Sequence, residues 1–188
     1  MKKIIIAIII ILLIALAGYF FYTPDTLLPD NIETTATSDS NEIEVFRPDP
    51  SNAAFIFDDG EITLSNGRNE RRNPPESAFV EETLLLDKFA YGDINADGKE
   101  DAIVFLARYG SGSGTFIYLA AFVSGPVTYR GTRVTYLGDR ISPQSISINE
   151  GIVTVKYLDR RPDEALAVEP TVRMTKEFTF EDGGFQER

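Results

Sequence analysis

Residues 92–106 read GDINADGKEDAIVFL, in which Asp93, Asn95, Asp97 and Asp101 surround Gly98 before the chain turns apolar. Calcium takes about six to eight hard oxygens at roughly 2.3–2.6 Å, and short alternating Asp and Asn side chains deliver several from one turn. Gly98 permits the sharp bend that points the chain back at an ion. Lys99 is no obstacle, because its backbone carbonyl can face inward while its ammonium faces water. Without a cation, Asp93, Asp97 and Asp101 crowd like charges into one turn, which is destabilising. The competing arrangement is a hairpin turn on Asp97-Gly98, with Asp93 and Asn95 bonded to nearby backbone as Asx-turns. The demanding spacing favours calcium.

Val104 stands where an EF-hand places its bidentate glutamate, so that comparison fails. The remaining D-x-N-x-D-G-x-x-D run, followed directly by a strand-like segment, resembles the calcium loops of integrin-type FG-GAP repeats. That resemblance covers residues 93–101 and occurs once. It implies Asp93, Asn95, Asp97, the Lys99 carbonyl and Asp101 as ligands, with water completing the shell. A structural ion of this kind suits the affinities of extracellular calcium modules, about 10⁻⁴–10⁻³ M.

Much other chemistry is closed to the chain, which has no cysteine and no histidine. Disulfides, thiol nucleophiles, thiolate zinc sites, Ser-His-Asp triads and imidazole-bound metals are excluded. Gly110-Ser111-Gly112-Ser113-Gly114 lacks the Lys-Ser/Thr of a phosphate-binding loop and leads into a strand-like TFIY, so a hairpin loop is expected. Leu137-Gly138-Asp139-Arg140 and the 159–164 segment DRRPDE set Asp beside Arg in loops, as surface ion pairs and turn caps do. Carboxylates are abundant enough for a glycosidase-like pair, which is the basis of an alternative reading as an exported hydrolase of surface polysaccharide. A lipocalin-like ligand-binding barrel is a third.

The elements that must hold these residues are mainly strands. AAFIF and EITLS flank Asp58-Asp59-Gly60, and SISI and IVTVKYL flank Asn149-Glu150-Gly151, both tight hairpin signals in which Gly supplies positive φ. AIVFLARY, TFIYLAAFV and VTYRGTRVTYLG are rich in β-branched and aromatic residues. TVRMTKEFTF alternates, with a slip at Lys176-Glu177 that reads as a bulge. FVEETLLLDKFAYG (79–92) fits helix and strand spacing equally, and RNERRNPPES (68–77) reads as a loop. Seven to nine short strands are expected over 53–188, in an antiparallel sandwich, open barrel or meander preceded by one transmembrane helix.

That helix is MKKIIIAIIIILLIALAGYFFY. The 19 uncharged residues from Ile4 to Tyr22 reach about 28 Å, against a hydrocarbon core of roughly 30 Å. Lys2 and Lys3 precede it, which keeps the amino terminus cytoplasmic and sends the rest outward. The alternative is a signal peptide cleaved near Ala17, after Ala15-Leu16-Ala17. Leu16-Ala17-Gly18 precedes Tyr19, not the cysteine that lipid attachment needs. Residues 23–52, rich in Thr, Ser, Asp, Asn and Pro, read as a flexible linker. A formal net charge of −11 opposes nucleic acid and equally opposes lying on anionic lipid, so the membrane is expected as a partner through the helix alone.

Four blocks then carry a wider resemblance: F-x-x-G-D-x-N-x-D-G-x-E-D (Phe89 to Asp101), G-S-G-T-F (Gly112 to Phe116), L-G-D-R-I-x-P-Q (Leu137 to Gln144) and Y-x-D-R-x-P-x-E (Tyr157 to Glu164). In this order they resemble a family of uncharacterised exported bacterial envelope proteins, lipoproteins or single-pass anchored. The resemblance implies export and an envelope role; it carries over no catalytic residue and leaves the envelope partner, protein or glycan, unidentified. The expectation is a non-enzymatic, membrane-anchored extracytoplasmic domain with a calcium-stabilised loop.

Overall fold

The computed structural model describes residues 46–188 apart from 73, 77 and 111. The anchor expected over 1–22, and the linker as far as residue 45, lie outside the described residues. Among the described residues no helix is long and apolar enough to cross a membrane.

The chain is mainly β. In order, the strands are β1 (Ala54–Phe57), β2 (Gly60–Thr63), β3 (Arg68–Arg71), β4 (Glu81–Gly92), β5 (Asp101–Tyr109) and β6 (Thr115–Val123). They continue with β7 (Arg130–Gly131), β8 (Thr135–Asp139), β9 (Ser142–Asn149), β10 (Ile152–Asp159), β11 (Val172–Glu181) and β12 (Gly184–Glu187). The named strand pairings are all antiparallel. One sheet runs β3-β4-β5-β6-β7, with β8 also on β6; a second runs β12-β11-β10-β9; β1 and β2 form a separate hairpin. No sheet closes into a barrel among the described residues, so the enclosed cup of a lipocalin-like protein is not formed.

The central pair β5–β6 explains the core. Ile103, Phe105 and Ala107 of β5 and Ile117, Leu119, Ala121 and Val123 of β6 face the second sheet, meeting Val153, Val155, Tyr157, Phe178 and Phe185. Ala102, Val104, Leu106 and Ala120 point the opposite way, under Phe55, Phe57 and Ile62 of the hairpin. Every residue from Ala102 to Leu106 is 0 % exposed. Double burial removes the solvent face, which is why AIVFLA runs without alternation. β10, covered on one face, alternates as expected, with Val153, Val155 and Tyr157 buried.

Five segments differ from the sequence expectation or resolve it. Arg68–Arg71 is an edge strand and not a loop; its charges pair across to β4, Arg71 with Glu81 and Arg68 with Glu82. Such cross-strand pairs offset its lack of apolar side chains. β11 has no bulge at Lys176-Glu177: its register against β10 is continuous from Val172 to Phe178. Lys176 simply occupies an inward position, where Glu187 receives its ammonium at 2.8 Å. The bulge lies in β4, whose register shifts between Leu85 and Phe89, and this shift produced the mixed periodicity of 79–92. VTYRGTRVTYLG is not one strand but two, β7 and β8, each paired to a different part of β6. In residues 46–52, which composition groups with the linker, Pro48 and Pro50 are buried, and Asp49 caps a 3₁₀ turn over Pro50–Asn52.

At one point the two sides of the core meet at backbone distance. A Cβ on Gly131 of β7 would lie 2.0 Å from the Ala54 carbonyl oxygen of β1. Gly131→Ala is therefore expected to destabilise the fold by about 1–3 kcal/mol in urea unfolding. Gly112→Ala, with no neighbour inside 4 Å, is expected to change it by less than about 0.5 kcal/mol.

Candidate functional site

The acidic stretch is the connection of the β4–β5 hairpin, closed by the Gly92–Asp101 pair. Its carboxylates organise the loop's own backbone. Asp93 accepts the amides of Asp97 through Oδ1 (3.2 Å) and Gly98 through Oδ2 (2.8 Å). Asn95 Oδ1 also accepts the Asp97 amide, at 3.1 Å, so the Asp93 and Asn95 oxygens converge on one point. Asp97 Oδ1 accepts the Lys99 amide at 3.0 Å. Gly98 sits at φ 82° and Ala96 at φ 60°, the positive values a loop this tight requires.

A residue that sequence reasoning missed fastens this loop to the core. Ser124, buried just after β6, donates its amide to Asp101 Oδ1 at 2.9 Å and its hydroxyl to Asp97 Oδ2. Asn95 Nδ2 reaches back to the Ser124 carbonyl at 3.2 Å. Asp101, wholly buried at the head of β5, also accepts the Ile94 amide through Oδ2 at 3.0 Å. Tyr129 donates its hydroxyl to the Glu100 carbonyl at 2.9 Å. Burial pushes the Asp101 carboxyl above the ordinary range, against the two amides that pull it down, while the Ser124 hydroxyl holds Asp97 below it.

Thus Asp93, Asn95 and Asp97 share one turn, and Asp97, Asn95 and Asp101 share Ser124. Lys99 is exposed on the loop, with its amide on Asp97. Among the described residues no three acidic side chains gather closely enough to hold a metal in this arrangement. The donor set is nevertheless all oxygen, the kind that a hard dication takes. A carboxylate oxygen holding one amide keeps a second lone pair for an ion.

A second charged cluster lies at the opposite end of β5. Arg108 makes a bidentate pair with Asp59, at 2.7 and 2.6 Å, and bonds Glu81 at 3.2 Å. Arg71 joins the same two carboxylates at 2.8 and 2.7 Å. The Arg108 guanidinium also stacks over Phe57, 5.2 Å from the ring centroid. This network clamps the tip of the β1–β2 hairpin to the central sheet. Arg108 holds the Asp59 carboxyl far below its ordinary value, and Arg71 lowers that of Glu81. Two carboxylates thus share a site away from the acidic loop, and the two arginines favour the ionised form of both.

Three of the sequence blocks meet at Arg140. Its side chain binds the Ser113 carbonyl and hydroxyl, its amide donates to the Thr115 carbonyl at 2.7 Å, and its carbonyl accepts from Arg160 at 2.8 Å. Asp139 caps the Thr115 amide at 2.8 Å. The Asp-Arg pairs of these loops are turn fasteners, and the Gly-Ser segment between β5 and β6 is what they fasten. Comparison with known proteins finds no matching family model, curated protein or solved structure.

Ser124→Ala removes the hydroxyl on Asp97 and is expected to cost about 0.5–1.5 kcal/mol of unfolding free energy. The Asp59 pair predicts acid sensitivity. A carboxyl whose folded value is depressed contributes its stability above the ordinary value of 3.8 and loses it as pH falls toward the folded value. Urea unfolding followed from about pH 4 to pH 2 is expected to be less pH-dependent in Asp59→Asn than in the parent.

Proposed function

We propose that this chain is a non-enzymatic extracytoplasmic interaction module, carried on a membrane anchor at residues 1–22, whose two-sheet β-sandwich is stabilised by calcium at the 93–101 loop. The observation that carries the metal reading is the D-x-N-x-D-G-x-x-D spacing of all-oxygen donors, held in a turn where Asp93 Oδ1 and Asn95 Oδ1 accept the Asp97 amide and Asp97 is tied to Ser124. Asp93, Asn95, Asp97, the Lys99 carbonyl and Asp101 would hold the ion, and calcium would add positive charge to a loop whose carboxylates accept backbone amides and the Ser124 hydroxyl. Export is supported by the lysine-led apolar run and by the resemblance to exported envelope proteins. The acidic balance opposes nucleic acid.

An exported polysaccharide hydrolase is the less favoured reading. Asp59 and Glu81 are neighbours through Arg108 and Arg71, yet neither is placed to give up a proton.

Thermal melts of the chain in calcium and in chelator test the metal reading. At a hundredfold excess of calcium over Kd, mass action predicts about 2.7 kcal/mol of added stability, and Asp97→Ala is expected to abolish it. Identical melts in the two conditions contradict calcium binding and leave an Asx-turn hairpin.

A further inference from the structure

The β1–β2 hairpin covers only part of its face of the six-stranded sheet. Beyond Phe57, β6 and β8 present Phe116, Tyr118 and Tyr136. Phe116 and Tyr136 are 37 % and 53 % exposed. The rings form a continuous row: Phe57 to Tyr118 at 5.1 Å, Tyr118 to Tyr136 at 5.6 Å and Tyr136 to Phe116 at 6.4 Å between centroids. The Phe116 ring is seated over Gly114, where a Cβ would come within 2.7 Å of it, and successive rings of the row meet edge to face or tilted, at 77°, 62° and 54° between planes. Next to it lies a hollow lined by Glu81, Arg108, Gly110, Gly112, Phe116 and Tyr118.

The charge of this face limits its occupant. Asp59, Glu81, Arg71 and Arg108 cancel one another beside the rings, while Asp58 adds negative charge near Tyr118, so the patch offers no net positive charge to an anionic ligand. A guanidinium and a carboxylate side by side offer donors and acceptors together, which matches a ligand whose groups both donate and accept. Hydroxyl groups do so. A proline-rich peptide also docks on aromatic rows, but it brings mainly carbonyl acceptors and few donors. Single-stranded nucleic acid stacks on aromatic rings too, and is repelled by Asp58 and the overall charge.

We propose that this face binds a neutral oligosaccharide, with sugar rings stacked on Phe116, Tyr118 and Tyr136 and hydroxyls bonded to Glu81 and Arg108. The proposal names a partner class for the interaction-module reading, on which it rests, and uses no residue of the acidic loop.

Isothermal titration of the full-length chain with maltohexaose, cellohexaose and chitohexaose tests it, with decaproline and oligothymidylate as comparators. At least one hexasaccharide is expected to bind. Tyr136→Ala and Phe116→Ala are each expected to weaken that binding about tenfold or more, while Tyr136→Phe, which keeps the ring, stays within about threefold. Both alanine variants should retain the parent's melting behaviour in calcium and in chelator, which separates loss of the sugar site from unfolding and from failure of the metal reading. No binding by any hexasaccharide, binding untouched by the alanine variants, or binding of a comparator in place of the sugars would overturn the proposal.

Discussion

The constraint on which the molecule turns is that β5 is buried on both faces. Ile103, Val104, Phe105 and Leu106 have no solvent side, and burial of each contributes about 1.5–3 kcal/mol toward the fold. A strand in that position can carry charge only at its ends, and each end must then be matched by specific partners. Asp101 heads the strand and takes two backbone amides. Arg108 stands near its close and takes two carboxylates. The two regions with functional potential are these two ends. At one, a loop of carboxylates is tied down through Ser124. At the other, an ion network fixes the hairpin and leaves an aromatic row uncovered.

This arrangement also accounts for the sequence blocks. Residues 89–101 supply the hairpin loop. The remaining three knot together at Arg140, which ties the 110–114 loop to the corner after β8 and to the segment after β10. These loop residues fasten turns: Asp139 caps the Thr115 amide, and Arg140 bonds backbone groups of the turns it joins. The blocks lie apart in sequence because each closes a different turn around the same two sheets.

Local chemistry was legible in the sequence, and long-range pairing was not. The hairpins at Asp58-Asp59 and Glu150-Gly151 follow from residues that tolerate positive φ, and Gly60, Glu150 and Gly151 adopt it. The unbroken apolar run of β5 announced a strand, but nothing in it says which elements cover its two faces. Ser124 stands 27 residues from Asp97 and 29 from Asn95, in an SGP sequence that reads as an ordinary turn. RNER looked like a loop because its partners, Glu81, Glu82 and Asp59, lie in other segments. Lys176 disguised a regular alternation because a charged residue took an inward position, satisfied by Glu187 on β12, a strand the sequence reading did not anticipate.

The central claim is that β5 is pinned at its charged ends, so that the Asp101 carboxylate makes the acidic loop an extension of the core. Native-state amide hydrogen exchange addresses it directly. The Ile94 and Ser124 amides, both donated to Asp101, should exchange only with global unfolding, as slowly as those of Val104 and Phe105 in mid-strand. If Ile94 and Ser124 instead exchange through fast local opening while mid-strand β5 stays protected, the loop is not anchored to the core and the account fails.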